Sequence, residues 1–349
     1  MSSHLLLLGA SGYTGRLVAA ELAKRGVEFV ACGRDVKRVE RALDELGISA
    51  RVERVDATEP SSLGELLDRE KPSAVITTIG PFLDLGKPVA LAVAESGASY
   101  MDSCGEQAFI KWLLESVSPS ADGQLIVPSL AFEYALADAG AELLKDELGE
   151  PLDIRSFYYL PSSAASRGTR VSMVRAMEEK VLAFFDGELR EVGRKVAQVS
   201  IGEPERTLDA LIFPAGEPVM IPRRIRARSV ESYMVMSLSA ARMLYRAARD
   251  AKDRKGAVQT DELGPAPEQR KRSRFFVVLE GVAGERSARL RISGTDPYGL
   301  TAHLLAEGAV ATLDGEVKRG GVCTPSEAFG AERIVSWCKS WGVSFALET

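Results

Sequence analysis

Short apolar runs alternate with amphipathic segments through the first 130 residues of this chain. Most of the runs are largely apolar, which is typical of strands buried on both faces of a parallel sheet, whereas the run at 48–55 alternates between apolar and polar residues. Between them, apolar residues recur at helical spacing, and Gly26, Gly47 and Gly97 stand where helices commonly end. The pattern predicts strands at 5–8, 27–32, 48–55, 74–79, 99–102 and 124–127, and helices at 13–25, 35–46, 61–70, 88–96 and 106–116.

The alternation changes after about Pro128. Strand patterns at 275–282 and 287–293 are joined by a turn and predict a hairpin, hence a mixed or antiparallel sheet. Over 223–252, helical spacing predicts an amphipathic helix, whose apolar face would hold Val230, Met234, Leu238, Ala241, Leu244 and Ala248. The remaining elements are predicted as helices at 134–148, 169–185 and 297–313 and strands at 153–160 and 343–347.

These elements predict an α/β protein, a Rossmann-type doubly wound parallel sheet interrupted by an α+β second domain. A chain of 349 residues is long for a single core, so two domains are expected. We expect residues 1–130 and 295–349 to form the first domain and residues 131–294 to form the second.

The turn after the first predicted strand reads Gly9-Ala10-Ser11-Gly12-Tyr13-Thr14-Gly15. Its three glycines leave room for a tight turn, for close approach of the backbone to a pyrophosphate and for close packing of the next helix. The N–H groups and dipole of that helix favour a phosphate. Because the turn joins a strand to a helix, it predicts nucleotide binding.

The end of the second predicted strand indicates which nucleotide binds. NAD enzymes usually place Asp or Glu there, to bind the ribose 2′-OH. Here Cys32-Gly33 is followed by Arg34, whose guanidinium can pair with a 2′-phosphate, with Lys37 or Arg38 as further positive charge. The sequence therefore predicts NADP. Asp35 and Lys37 are also explained as an N-cap and a solvated helix residue.

Three further strand ends carry candidate residues, because ligands of doubly wound sheets bind beyond the carboxyl ends of the strands. Asp56, next to Ala57, either reaches the adenine amino group or caps the following turn. Gly80-Pro81-Phe82 either passes close to the nicotinamide ribose or forms a simple turn. The segment Asp102-Ser103-Cys104-Gly105-Glu106 either offers its polar groups to the crevice or uses its two acids to cap the next helix.

The composition is that of an ordinary soluble protein, with 46% hydrophobic and 27% charged residues. A net charge of −5 argues against nucleic-acid binding. The four cysteines have no C-x-x-C spacing and the chain has two histidines, so neither a disulfide framework nor a metal centre is expected. Neither a signal peptide nor a membrane-spanning run is visible, so a cytoplasmic protein is expected. No tyrosine is followed four residues later by lysine, the spacing on which short-chain dehydrogenases rely.

Several motifs together resemble those of the saccharopine dehydrogenase-like oxidoreductases, and within that group the bacterial trans-acting enoyl reductases that serve polyketide synthases lacking a reductase domain. The matching segments are Gly9–Gly15, Gly33-Arg34, Asp56-Ala57-Thr58, Gly80-Pro81-Phe82, Tyr100–Glu106, Asp296–Ala302 and Gly320–Pro325. The resemblance implies an NADP-dependent oxidoreductase of lipid metabolism. Its cofactor-binding residues would be Gly9, Ser11, Gly12, Tyr13, Thr14, Gly15, Arg34, Asp56, Ala57, Gly80, Pro81, Phe82 and Cys104.

The reaction that this resemblance implies is hydride transfer to the β-carbon of an enoyl thioester. The thioester oxygen then needs hydrogen-bond donors and the α-carbon needs a proton. Tyr134, Tyr298 and Ser103 are the candidate catalytic donors. Relatives often carry Gly-Phe/Tyr-Asp-Ser-x-Pro where this chain reads Ala131–Leu136, so that loop departs from the family pattern, while Glu133 keeps an acid there.

Other functions stay open. An imine reductase of the saccharopine-forming type would bind carboxylates through Arg155, Arg167 and Arg170. A non-catalytic NADP-binding scaffold at lipid surfaces or in protein assembly is the second alternative. A homodimer also stays open.

A basic patch is the candidate partner surface. Arg242, Arg246 and Arg249 fall on one side of the predicted 223–252 helix. They form either a solvated helix face or a docking surface for an acyl carrier protein, a CoA phosphate or an anionic membrane.

Overall fold

The computed structural model describes residues 4–161, 165–237, 239–243, 246 and 263–349. It divides into two compact units. The first comprises Met1–Cys104, Ala108–Phe132 and Tyr298–Trp337, and the second comprises Gly105–Gln107, Glu133–Pro297 and Cys338–Thr349. Among the residues named above, Leu238, Leu244, Ala248 and Arg249 lie outside the described residues.

The first unit is built on a seven-stranded parallel sheet. Numbered along the whole chain, its strands are β1 (Leu5–Leu8), β2 (Phe29–Gly33), β3 (Arg51–Arg54), β4 (Ala74–Thr77), β5 (Ser99–Asp102), β6 (Leu125–Val127) and β15 (Gly321–Val322). Their order is β15-β6-β5-β4-β1-β2-β3. The crossovers therefore reverse direction between β1 and β4, the place where doubly wound sheets bind ligands. The predicted Rossmann-type fold is confirmed.

Helices cover this sheet, and all four leucines of β1 are fully buried. The helices are Tyr13–Lys24, Val36–Leu46, Pro60–Glu70, Lys87–Ser96, Gln107–Ser116, Pro297–Leu313, Pro325–Phe329 and Ala331–Ser340. A Cβ on Gly308 would lie 2.5 Å from Leu130 Cδ2 and 3.2 Å from Met101 Sδ. Glycine at this position thus lets the helix Pro297–Leu313 pack directly against β5 and the residues after β6.

The second unit contains a nine-stranded mixed sheet. Its strands are β7 (Leu152–Tyr159), β8 (Val181–Phe185), β9 (Glu188–Val192), β10 (Val196–Ile201), β11 (Arg206–Ile212), β12 (Ala227–Val235), β13 (Arg274–Ala283), β14 (Arg286–Thr295) and β16 (Ser344–Glu348), and its helices are Phe132–Leu148, Arg167–Ala176, Glu217–Met220 and Pro267–Arg272. The main order is β10-β11-β12-β7-β13-β14-β16, and β8 pairs with β12 and β9. Gly140 and Gly281 bring the helix Phe132–Leu148 against this sheet.

The predicted hairpin is present as β13 and β14, which pair antiparallel, but two helix predictions are wrong. The predicted helix 169–185 ends at Ala176, and 181–185 is strand β8. Residues 227–235, expected on a helix, form β12, which pairs in parallel with β7. Pairing with a buried neighbour strand outweighs the helical spacing of the apolar residues there.

The end of the chain also differs from the expected division. Residues 295–349 were expected with the first domain, yet β16 pairs with β14 in the second sheet. Within the described residues, no helix is both long and apolar enough to cross a membrane.

Candidate nucleotide-binding site

Gly9 turns the chain sharply at the end of β1. Its φ of +82° lies in the left-handed region, which glycine adopts without strain. The N–H groups of Gly9 and Ala10 both donate to the carbonyl oxygen of Cys32, at 3.0 and 3.1 Å. A Cβ on Gly9 would lie 2.8 Å from Thr78 Oγ1. The turn is therefore held against the ends of β2 and β4.

The other two glycines bring the following helix close to this turn. The N–H of Gly12 donates to the Gly9 carbonyl at 2.9 Å. A Cβ on Gly15 would lie 2.1 Å from that carbonyl oxygen, and a Cβ on Gly12 would lie 3.1 Å from it. Gly12 is the N-cap and has no side chain, so the helix starts with its backbone N–H groups at the carboxyl end of β1. This cradle fits the pyrophosphate of a dinucleotide.

Arg34 stands at the tip of β2 with an exposed side chain. Among the described residues it has no acidic partner within 4 Å. Asp35 beside it caps the next helix by accepting a hydrogen bond from the Arg38 N–H at 3.1 Å, so the N-cap interpretation of Asp35 is confirmed. The strand tip itself presents a basic side chain and no acid.

Asp56 forms the turn after β3. Its Oδ1 accepts hydrogen bonds from the Thr58 N–H at 3.0 Å and the Thr58 hydroxyl at 2.7 Å. These bonds, together with the positive charges of Arg34 and Arg54, lower the pKa of the Asp56 carboxyl. The capping role is thus present in the structure, and it keeps an ionised carboxylate close to Arg34.

Gly80-Pro81-Phe82 follows β4 as a packed turn. The N–H of Leu85 donates to the Pro81 carbonyl at 3.0 Å. The buried ring of Phe82 packs against Phe109 with centroids 5.5 Å apart. The aromatic side chain is therefore committed to the core, while Gly80 is exposed and Pro81 is partly exposed.

Asp102 ties together the segments that follow β5 and β6. It is fully buried, and its carboxylate accepts hydrogen bonds from the Tyr100 hydroxyl at 2.7 Å, the Cys104 N–H at 2.8 Å and the Ser129 N–H at 2.7 Å. Cys104 is also fully buried, whereas Ser103 is partly exposed. The sequence suggested an acid at the crevice or a helix cap, but Asp102 instead fixes two strand ends.

Comparison with known proteins agrees with this geometry. Residues 5–83 match the model of the NAD dependent epimerase/dehydratase family. A Mycobacterium tuberculosis protein named as a trans-acting enoyl reductase is 32% identical over 65% of this chain and 55% of its own length. The mouse saccharopine dehydrogenase-like oxidoreductase is 29% identical over 43% of this chain and 39% of its own length. The chain is therefore similar in sequence to proteins named as trans-acting enoyl reductases and saccharopine dehydrogenase-like oxidoreductases.

One solved structure shares the fold of this chain. Saccharopine dehydrogenase (L-Glu forming) from Saccharomyces cerevisiae matches with a TM-score of 0.61 over 99% of both chains, at 13% identity. That match shows a shared fold alone. The chain spans roughly half the length of the mycobacterial relative and less of the mouse relative.

The three candidate donors lie in different surroundings. The ring of Tyr298 meets that of Tyr13 edge-on, with centroids 5.0 Å apart, so it lies beside the glycine turn. The hydroxyl of Tyr134 donates to the carbonyl of Gly105 at 3.1 Å, within the second unit. Of the three candidate donors, Tyr298 is the one with a described contact to a residue of the glycine turn.

Most candidate arginines of the second unit are paired or exposed. Arg155 forms an ion pair with Glu280 at 2.6 Å, and its guanidinium lies 5.7 Å from the Phe157 ring centroid. Arg167 is exposed, and Arg170 is partly exposed on the same helix. The side chains of Arg242 and Arg246 are exposed, and residues 239–243 and 246 are helical. Arg249 lies outside the described residues.

The sequence did not predict a group of buried polar residues around Glu217. Glu217 is 1% exposed, and its Oε1 accepts hydrogen bonds from the Tyr158 hydroxyl and from Ser156 Oγ, the latter at 2.9 Å. Ser156 also contacts Ser232 at 3.0 Å between hydroxyl oxygens. The available signal was a serine inside each of two apolar strands, β7 and β12, whose parallel pairing the sequence did not predict.

Proposed function

We propose that this protein is an NADPH-dependent oxidoreductase that reduces the carbon–carbon double bond of an enoyl thioester. One observation supports the binding of NADPH. The glycine turn leads into a helix at the point between β1 and β4 where the order of the strands reverses, and an exposed Arg34 lies nearby at the tip of β2. The homologues named as trans-acting enoyl reductases support the choice of acceptor.

The preference for NADPH is argued from charge. A 2′-phosphate adds negative charge where NAD has only a hydroxyl, and a guanidinium binds phosphate through two parallel hydrogen bonds. Arg34 has no ion pair among the described residues, so binding a phosphate would break no existing bridge. Lys37 and Arg38 are exposed on the next helix turn and add positive potential.

Further residues of this chain can be assigned to parts of the bound cofactor and to the substrate. The backbone around Gly9, Gly12 and Gly15 would hold the pyrophosphate, Asp56 and Ala57 would face the adenine end, and the backbone at Gly80 and at Cys104 would approach the nicotinamide end. When bound, a reduced nicotinamide dinucleotide supplies a hydride. Tyr298, beside the turn, is the residue that we assign to donate a hydrogen bond to the thioester oxygen as negative charge develops there.

A substrate panel tests this proposal. Purified protein is incubated with NADPH and, separately, with short and long 2-enoyl thioesters or with imines formed from 2-oxo acids and amino acids, and oxidation of NADPH is followed by absorbance. We expect oxidation with enoyl thioesters and formation of the saturated thioester by mass spectrometry. Turnover of imines alone would support the imine reductase, and no turnover with any acceptor would refute the catalytic proposal.

A further inference from the structure

The helix that follows the glycine turn and the helix Pro297–Leu313 meet at two places in the first unit. At their first turns, the rings of Tyr13 and Tyr298 meet edge-on with centroids 5.0 Å apart. Further along, the guanidinium of Arg25, the C-cap of the first helix, contacts the imidazole of His303 in the second. Contact at two separate places fixes how the helix that begins at Tyr298 lies against the helix of the turn.

Every nitrogen of the Arg25 guanidinium makes a contact at this second place. Nη1 donates to the backbone carbonyl oxygen and to Oε2 of Glu21, at 2.8 and 2.5 Å. Nε and Nη2 donate to Oε1 of Glu307 at 3.2 and 2.8 Å, and Nη2 lies 2.6 Å from Nδ1 of His303. These four residues form the Arg25 cluster. The side chains of Arg25 and His303 are 17% and 8% exposed, so water and salt screen the cluster weakly.

The partners of His303 decide which of its nitrogens carries a proton. Nε2 lies 3.0 Å from the carbonyl oxygen of Trp337, which can only accept, so Nε2 donates. Nδ1 faces the guanidinium of Arg25, which can only donate, so Nδ1 accepts. The carboxylates of Glu21 and Glu307 would favour a cation, but they lie 3.8 and 3.9 Å from Nδ1, beyond hydrogen-bond distance. Only a neutral imidazole with its proton on Nε2 makes both bonds.

We propose that Arg25 and a neutral His303 are positioning residues, which hold the helix Pro297–Leu313 where Tyr298 can donate to the substrate. This inference rests on the proposed function, in which the Tyr298 hydroxyl bonds the thioester oxygen. His303 and Tyr298 belong to one continuous helix, so a shift of that helix at His303 also displaces Tyr298. A displacement of about 1 Å in a catalytic arrangement can cost about 100-fold in rate.

Nitrogen NMR tests the state of His303 without substrate. The chain contains two histidines, His4 and His303, so labelling histidine alone with nitrogen-15 gives few signals, and the variant His4→Gln assigns them. We expect His303 at neutral pH to show one nitrogen with a bonded hydrogen, Nε2, and one without, Nδ1. Two protonated nitrogens, or a proton on Nδ1, would overturn the inference.

Kinetic measurements separate positioning from stability. They follow kcat for crotonyl-CoA at saturating NADPH, well below the melting temperature of each variant. His303→Leu removes both hydrogen bonds and should lower kcat at least tenfold, while the Kd for NADPH stays within twofold. His303→Gln keeps one donor and one acceptor in its amide and should restore kcat to within threefold of wild type. The control His4→Gln should leave kcat unchanged.

A wild-type kcat in His303→Leu, with only a lower melting temperature, would overturn the proposal. If His303→Leu does not fold, Arg25→Lys replaces it with the same expectation, because it keeps the charge but loses the planar fork that contacts several partners.

A double-mutant cycle tests whether the effect of the cluster passes through Tyr298. Once Tyr298→Phe has removed the hydroxyl, adding His303→Leu should lower kcat by less than a further twofold, because residues that act together are not additive. Full, multiplicative losses would contradict the proposal. If the wild type reduces none of the thioesters, the proposed function is wrong and the positioning role falls with it, whatever the NMR shows. A cationic His303 in an active enzyme contradicts this inference alone.

Discussion

The glycine turn of the first unit and the buried polar group around Glu217 in the second unit differ in what they are built from: the first is backbone and the second is side chains. The phosphate cradle of the first unit is made of backbone from one turn, and its glycines exclude side-chain volume: a single Cβ on Gly15 would lie 2.1 Å from Gly9 O. The buried polar group around Glu217 in the second unit is made of side chains that β7, β12 and the short helix Glu217–Met220 bring together. The first should therefore be sensitive to added volume, and the second to removal of a charge or a hydroxyl.

Removal of the C-terminal segment that packs in the first unit is expected to have the largest effect on stability. A fragment of residues 1–130 lacks the helix that packs Gly308 against Leu130 and Met101, and it lacks β15, which pairs with β6. The fragment should expose apolar surface, bind a hydrophobic dye and show no cooperative thermal transition by circular dichroism. A soluble fragment that melts cooperatively would show that the local elements suffice for this unit.

Added volume in the cradle is the next largest perturbation. Gly15→Ala should weaken both NADPH and NADH at least 100-fold in calorimetry, because the backbone must move to relieve the overlap with Gly9. Gly64→Ala is the matched control: it lies in the helix Pro60–Glu70 with open space around its Cβ position, and it should leave binding unchanged and raise stability by up to about 1 kcal/mol. Unaltered binding by Gly15→Ala would mean that nucleotide does not use this turn.

The same contrast explains what the sequence could predict. The elements of the Rossmann-type sheet, the Gly9–Gly15 turn and the Asp35 cap have local sequence signals: short apolar strands, glycine-ended helices, a glycine-rich turn between strand and helix, and an aspartate before a helix. The strand at 227–235 depends on its pairing with β7, which local spacing does not encode. The contact between Tyr158 and Glu217 depends on that pairing and on the buried short helix Glu217–Met220, so no local sequence motif predicts it.

A smaller effect is expected from the basic residues 242 and 246. If this face docks an acidic carrier protein, Arg242→Glu together with Arg246→Glu should lower the turnover of a carrier-bound enoyl substrate about tenfold, and the wild-type rate should decline with salt. Folding and NADPH binding should not change, since exposed substitutions usually shift stability by about 0.5 kcal/mol or less. Free crotonyl-CoA is the control substrate. An equal loss for both substrates would exclude docking as the role of these arginines.

Calorimetric titration of NADPH and NADH into wild type and Arg34→Ala tests the central claim most directly. A charge-assisted hydrogen bond is worth about 1.5–3 kcal/mol, so Arg34→Ala should weaken NADPH at least tenfold and leave NADH almost unchanged. Arg41→Ala, which removes an exposed arginine of the following helix Val36–Leu46, controls for loss of one positive charge and should affect neither nucleotide. Equal weakening of both nucleotides by Arg34→Ala, or a wild type that prefers NADH, would contradict the account.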